Sequence, residues 1–227
     1  MLGRAAIAMW WDVPFEARAE FEDWHSHEHM PERLAIPGFL RGSRWVALSG
    51  EPSYFVLYEA AKLAAVRTGP YLQRLNNPSA WSRKMMPYHR NMVRSLCRVR
   101  ASFGRGMPRA LASIRISPVP RRAAALGRWL STQALPKLPE RKGLTGAHLL
   151  ASQPMAVAPL TVEQRIRGRD AAADWVVLVC GYDSDSVQAA AATDLTAELL
   201  AEHGAAVSAV SATYSIAYVL TARDLAR

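Results

Sequence analysis

The sequence predicts an α+β fold built from two consecutive βαββαβ units, residues 1–104 and 105–227, whose antiparallel sheets pack together as a pseudo-dimeric barrel. Three observations predict it. The stretch Phe21–Leu40 recurs without a gap at Leu126–Thr145, at a constant offset of 105 residues that matches Trp24 with Trp129, Ser26 with Ser131, Pro31 with Pro136 and Gly38 with Gly143. Such a repeat sets the architecture before any local reading does. Each half also reads strand, helix, strand, strand, helix, strand. Finally, a sheet carrying helices on one face leaves the other face in need of cover, and the sheet of the second unit can supply it.

The elements follow in order. Ala5–Trp11 alternates as a strand, with Ile7, Met9 and Trp11 on the face expected beneath the helices and Ala6, Ala8 and Trp10 on the other. Asp12, Pro14 and Glu16 start a helix expected to run from Phe15 to Met30, where Pro31 ends or kinks it. Pro37-Gly38 is a turn. Phe39–Leu48 and Tyr54–Ala60 are strands, Leu63–Leu75 a second helix interrupted near Gly69-Pro70, and Met92–Ala101 the closing strand. Gly104–Pro108 links the halves. Strand Ala110–Ser117, helix Arg121–Ala134, strands Leu144–Ser152 and Trp175–Tyr182, helix Ser184–His203 and strand Val210–Thr221 repeat the order. The second half carries sixteen extra residues, Pro154–Arg169, between its second and third strands. A surface insertion of that size costs little, and it is read as a plain excursion or a lid. The face opposite the helices is expected to carry Trp10, Arg94, Arg98, Arg100 and Arg115, a polar seam between the sheets.

No apolar run approaches the roughly 20 residues needed to cross a bilayer, and the N-terminus lacks a signal-peptide layout, so a cytoplasmic protein is expected. Cys97 and Cys180 do not correspond under the repeat and each lies in an apolar strand, which favours buried thiols over a disulfide. The net charge of +9 is uneven: between Glu59 and Glu140 there are sixteen Lys or Arg and no acidic residue. Such a field attracts anions, whether a small carboxylate or phosphate, a nucleic acid or an acidic partner. Without zinc-finger spacing, an RNP-type aromatic motif or a basic tail, nucleic-acid binding is not the preferred reading. A small-molecule substrate, with an anionic group allowed, is expected, and a further homodimer is compatible with the sequence.

The chemistry lies where the two copies differ. His25, His27, Glu28 and His29 become Leu130, Thr132, Gln133 and Ala134. Losing the whole polar set in one copy points to one working site and one scaffold half. His25 and His29 share a helix face, while His27 points to solvent. Imidazoles suit proton transfer near neutrality. His29, near the expected helix C-terminus, is favoured in its protonated form by the macrodipole, and His25, among aromatic residues, is favoured neutral. These two are the candidate catalytic residues, with His25 as base and His29 as acid or oxyanion donor. Trp11, Trp24, Glu28, Tyr58 and Arg44 are candidates for the substrate pocket. Metal binding is the rival chemistry, since His-x3-His with Glu28 or Glu32, and His89 nearby, offers ligands; the pattern is not the HExxH motif, and no metal is assigned. Trp81, Arg83, Tyr88 and His89 gate a pocket, bind a carboxylate or form an ordinary amphipathic segment. No Gly-rich dinucleotide or phosphate loop and no G-x-S-x-G elbow occurs, so no cofactor is expected.

Trp24, His25, Glu28, His29, Pro31, Glu32, Arg33, Leu34, Ile36, Pro37, Gly38, Phe39 and Arg41 together resemble the core motif of the dimeric α/β-barrel superfamily, and within it EthD-like proteins. The resemblance covers about the first 60 residues and implies ferredoxin-like units whose sheets pair into a barrel, here in tandem form. It also implies membership of a group that includes cofactor-independent cyclases, isomerases, dehydratases and small monooxygenases, haem enzymes, and proteins of no known activity. Fold alone does not choose among them. With the histidine pair, the sequence favours a cofactor-independent lyase or isomerase acting on a small apolar, carbonyl-containing or aromatic substrate. The alternative is a non-catalytic small-molecule-binding or accessory protein with a basic anion-binding surface.

Overall fold

A computed structural model describes residues 1–153, 160–168 and 170–226. Eight antiparallel strands close into a barrel: β1 (Ala5–Asp12), β2 (Phe39–Ser49), β3 (Tyr54–Ala60), β4 (Arg90–Gly104), β5 (Ala110–Ile116), β6 (Leu144–Ser152), β7 (Trp175–Gly181) and β8 (Val210–Thr221), in the spatial order β1-β3-β2-β8-β5-β7-β6-β4. Strands β1–β4 come from the first half of the chain and β5–β8 from the second. The two four-stranded sheets join along β2–β8 and β4–β6. Closure leaves no sheet edge to template pairing with another chain. This is the tandem pseudo-dimeric form of the ferredoxin-like α+β barrel. The repeat is visible in the register: Ile7 pairs with Tyr58 as Ala112 pairs with Val179, and Arg44 with Val56 as Leu149 with Val177. Gly38 and Gly143 close the corresponding turns with φ of +94° and +84°, backbone that an L side chain resists.

Each sheet carries its helices outside the barrel. Ile7 and Trp11 pack beneath the helices of the first half, whereas Ala6, Ala8 and Trp10 face the interior with Trp45, Phe55, Leu178 and Tyr214. Trp10 stacks on Phe55 with ring centroids 5.1 Å apart and donates its Nε1–H to Ser113. The expected polar seam is largely absent. Arg115 does lie inside, 5.3 Å from the Trp10 ring, but Arg94 and Arg98 pair with Met9 and Ala5 and therefore share the helix-side face. Directly paired residues of an antiparallel ladder point the same way. Arg100 lies past the start of an irregularity in β4, between Val99 and Ala101, and stacks over Trp175, also outside the barrel. Both cysteines are free and buried.

The helices depart from expectation in one instructive way. The first half has a short turn at Phe15–Ala17, α1 (Arg18–Trp24), a π-turn at His25–His29 and α2 (Met30–Leu34). Pro31 neither ends nor breaks the helix. The wide turn, in which Met30 N–H donates to the His25 carbonyl five residues back, carries the chain past the missing proline donor. The second half repeats this with α5 (Ala123–Trp129), a π-turn at Leu130–Ala134 and the bond from Leu135 N–H to the Leu130 carbonyl. Both copies keep the turn and the proline, but only one keeps the histidines. The turn therefore belongs to the scaffold.

The second helix of the first half is a short turn at Leu63–Arg67 followed by α3 (Gly69–Asn76). Next come α4 (Ala80–Met85) and a turn at Met86–Tyr88. The expected helix 184–203 is two helices, α7 (Ser184–Asp194) and α8 (Ala197–Glu202), because Thr196 caps a new start by accepting from Leu199 N–H. Of the sixteen inserted residues, 160–168 are described and the others lie outside the described residues. The described part contains α6 (Val162–Arg167), started by a reciprocal Thr161–Gln164 capping box.

Candidate active site

The π-turn sets His25 and His29 side by side on the sheet-facing side of the helix, with ring centroids 5.6 Å apart. Both are buried, at 1% and 8% exposure. They line a small cavity of about 30 Å³ between the helix layer and the outer face of the first-half sheet. Trp11 and Tyr58 line it from β1 and β3, Arg33 from α2, and His89 from the residue before β4. His27 is exposed and pairs with Asp23, as expected from its position.

The contacts at His25 assign its protonation. Arg44 Nη1 lies 3.5 Å from Nδ1, and a guanidinium only donates, so Nδ1 is the acceptor and the proton sits on Nε2. Nε2 lies 3.4 Å from the Tyr58 hydroxyl oxygen. Tyr58 is thus left free to donate into the cavity. His29 differs: its Nδ1 is buried with no hydrogen-bond partner. Burial, then the Arg44 guanidinium, holds His25 well below the ordinary imidazole range. Burial, then Arg33, does the same to His29. The expectation of a protonated His29 at a helix end fails because the helix runs on through α2 to Leu34. His89 is pushed down to about 3 by burial and then Arg167; its Nδ1–H donates to the Met85 and Met86 carbonyls. All three imidazoles are neutral at pH 7, while burial raises the Tyr58 hydroxyl above its ordinary range and keeps it protonated.

The other expected pocket residues are placed differently. Trp24 packs on His29 with centroids 4.5 Å apart but does not line the cavity. Glu28 turns away from it, accepting from Trp24 Nε1, Ser79 and Ser82, and so ties the π-turn to α4. Glu32 faces Arg74 near the surface at 3.6 Å. Arg44 reaches His25 from the side, bonded to the Glu22 carbonyl and Ser26 and stacked near Tyr218 of the second half. Among the described residues, no three His, Cys, Asp or Glu side chains converge as a metal set.

Two groups escaped the sequence reading. Arg33 sits inside the Pro31–Leu34 part of the motif, and its repeat counterpart is Leu138, so the polar-to-apolar comparison that singled out the histidines applies to it equally. Glu163 and Arg167, by contrast, come from the insertion of the other half. Glu163 ion-pairs with Arg33, and Arg167 pairs with Glu163 and with Asp170 at 2.9 Å. No sequence signal says which half an insertion covers.

A wider void of about 320 Å³ lies at one end of the barrel, lined among others by Arg41, Trp45, Glu59, His148 and Cys180. Three of its ionisable groups are engaged, Arg41 with Glu59 and His148 with Ser102 at 2.9 Å. The histidine cavity, with partnerless polar atoms, is the better candidate for chemistry.

No protein-family model matches the chain, and no curated protein sequence matches it. Solved structures do. An anthrone oxidase-like protein superposes with a TM-score of 0.62 at 9% identity, covering 96% of this chain and 92% of its own. A protein provisionally assigned as a monooxygenase from Fusobacterium nucleatum gives 0.59 at 7% identity, covering 97% and 96%. Chlorite dismutase from Candidatus Nitrospira defluvii gives 0.52 at 10%, covering 93% and 90%. At these identities the likeness shows the fold, that of the dimeric α/β-barrel proteins, over nearly the whole chain. Among the described residues no helix is long and apolar enough to cross a membrane.

Proposed function

We propose that the chain is an EthD-like, cofactor-independent enzyme of the lyase or isomerase type, acting on a small carbonyl-containing or aromatic substrate. The observation that supports this most is the set of neutral imidazoles enclosed with Tyr58 and Arg33 around a cavity, beside a second half in which the matching positions are Leu130, Ala134, Val179 and Leu138. Neutral imidazoles in a water-poor cleft are proton acceptors at pH 7. His29 is the better base, because His25 is held between Arg44 and Tyr58 while His29 Nδ1 has no protein partner. This reverses the division of labour expected from the sequence.

In the proposed reaction a carbon next to a carbonyl loses a proton to His29, and the C–H electron pair becomes the enolate. The Tyr58 O–H, oriented by His25, donates to the enolate oxygen. The imidazolium then returns the proton, to the γ-carbon of a β,γ-unsaturated substrate in an isomerisation, or to the hydroxide that leaves the β-carbon, as water, in a dehydration. Atoms and electrons balance without a further reagent. Purified protein incubated with cell extract and followed by mass spectrometry should consume a carbonyl metabolite, and a His29→Ala protein should not. Equal consumption by the two would end this reading. Since proteins of this fold include one named anthrone oxidase-like and one provisionally a monooxygenase, oxygen uptake in the same incubation separates an oxidative outcome from a non-oxidative one.

A further inference from the structure

We propose that the substrate carries a carboxylate, that Arg33 is its anchor, and that Glu163 occupies part of that anchor as an internal stand-in which must yield when substrate enters. This rests on the histidine cavity being the working site.

Three of the five buried polar side-chain atoms found without a hydrogen-bond partner border this one cavity: Trp11 Nε1, His29 Nδ1 and Arg33 Nη1. Trp11 Nε1 and Arg33 Nη1 can only donate. Buried donors are ordinarily satisfied, and an unmet one costs about 1–3 kcal/mol. Two of them on residues that line one cavity call for an acceptor. Glu163 meets Arg33 at Nη2 only, and Nη1 has no partner. Nη1 together with the Nη2 that Glu163 vacates forms the edge that takes up a carboxylate with two parallel bonds.

Charge gives the same answer independently. Among the described residues, the guanidinium groups at the cavity are Arg33, Arg94 and Arg167, and the carboxylates are Glu163 and Asp170. Arg94 donates to the Tyr71 hydroxyl rather than to a carboxylate. The cavity lining thus carries more guanidinium than carboxylate groups, and arginine stays protonated. An anionic ligand suits that excess.

Size explains why Glu163 must give way. A space of about 30 Å³ holds an oxygen-bearing group but not a substrate skeleton. The wall that can move is α6. It belongs to the insertion and touches the first half through Val162 N–H on Asn76, Ile166 against the apolar core, the Glu163–Arg33 ion pair and Arg167 Nη1 on the Met86 sulfur. A carboxylate arriving at Arg33 replaces Glu163 in kind, so the exchange costs little while opening the wall.

Benzoate, with benzamide as its neutral match, tests this by calorimetric titration of the full chain. Glu163→Gln removes the competing charge, and benzoate is expected to bind roughly tenfold more tightly than to the native protein, since the competent open state is then more populated. Benzamide is expected to gain nothing. Arg33→Leu alone strands Glu163 and can fail to fold, so the paired variant Arg33→Leu/Glu163→Leu serves as the second arm; it should fold and lose benzoate binding. Unchanged or weaker benzoate binding in Glu163→Gln, or retained binding in the paired variant, overturns the proposal. Repeating the titration with His29→Ala separates the two readings. Benzoate binding that survives there, in a protein whose turnover never depended on His29, leaves the anchor standing and removes the acid–base role. Turnover of neutral ketones that needs His29 but ignores Arg33 does the reverse.

Discussion

The two helix–sheet interfaces of the barrel share a backbone and differ in their contents. Each has a π-turn followed within two residues by proline, a positive-φ glycine turn and a matching strand register. In the second half Leu130, Leu138, Leu149 and Val179 fill the space as ordinary core. In the first half the same positions hold His25, Arg33, Arg44 and Tyr58, with three polar atoms bordering the cavity left unsatisfied. The apolar version shows that the scaffold does not need polar groups here. Their retention in one half carries a stability cost, which is the usual mark of a site kept for chemistry.

The largest effect that can break this comparison is on turnover. His29→Ala, which installs the residue of the second half, should lower kcat by about 10²–10⁴-fold, the usual worth of a general base, in a steady-state assay on the substrate found by profiling. Next is acid stability. An imidazole held neutral in the fold but free to charge near pH 6.5 when unfolded lets the unfolded chain bind more protons below that pH. Its contribution is complete above pH 6.5 and is lost as pH falls towards the depressed folded values, which for His89 and His148 reach about 3. Denaturant unfolding at stepped pH should show the His25→Leu/His29→Ala protein overtaking the native one below pH 6.5, by up to about 1.4 kcal/mol per pH unit for each histidine removed. A smaller loss, about 1–3 kcal/mol, is expected for Glu28→Ala, which strands the buried Ser82 hydroxyl donor and leaves Trp24 Nε1 with Ser82 as its one acceptor; thermal melts measure it. His27→Ala, on the exposed side of the same turn, should change stability by less than about 0.5 kcal/mol and leave turnover intact, apart from its solvated pair with Asp23.

Much of the fold was legible because the repeat constrains each half by the other. Tyr54–Ala60, Leu144–Ser152 and Val210–Thr221 are strands with the bounds read from sequence. Strand β4 was not. Its arginines alternate with apolar residues, so a reading that puts charge away from the helices places Arg94 and Arg98 on the wrong side. The helix-side layer accepts Arg94 because Tyr71 meets it. Pro31 misled for a related reason: a lone proline argues for an end, whereas Pro136 in the same place of the copy shows that both turns widen to pass it. The histidines stood out through contrast with Leu130 and Ala134, and Arg33 would have stood out against Leu138. The Arg33–Glu163 ion pair was beyond sequence reasoning, because it joins residues 130 apart through space rather than through any shared periodicity.

The asymmetry between the halves is tested most directly by proton exchange. Native protein and the His29→Ala variant are incubated in deuterated water with a panel of enolisable aryl ketones and keto acids, and deuterium incorporation next to the carbonyl is read by NMR. The native protein should exchange at least one member of the panel far above the buffer rate, and the variant should not. Equal exchange by the two proteins would contradict the assignment of the first-half cavity as the place where protons move.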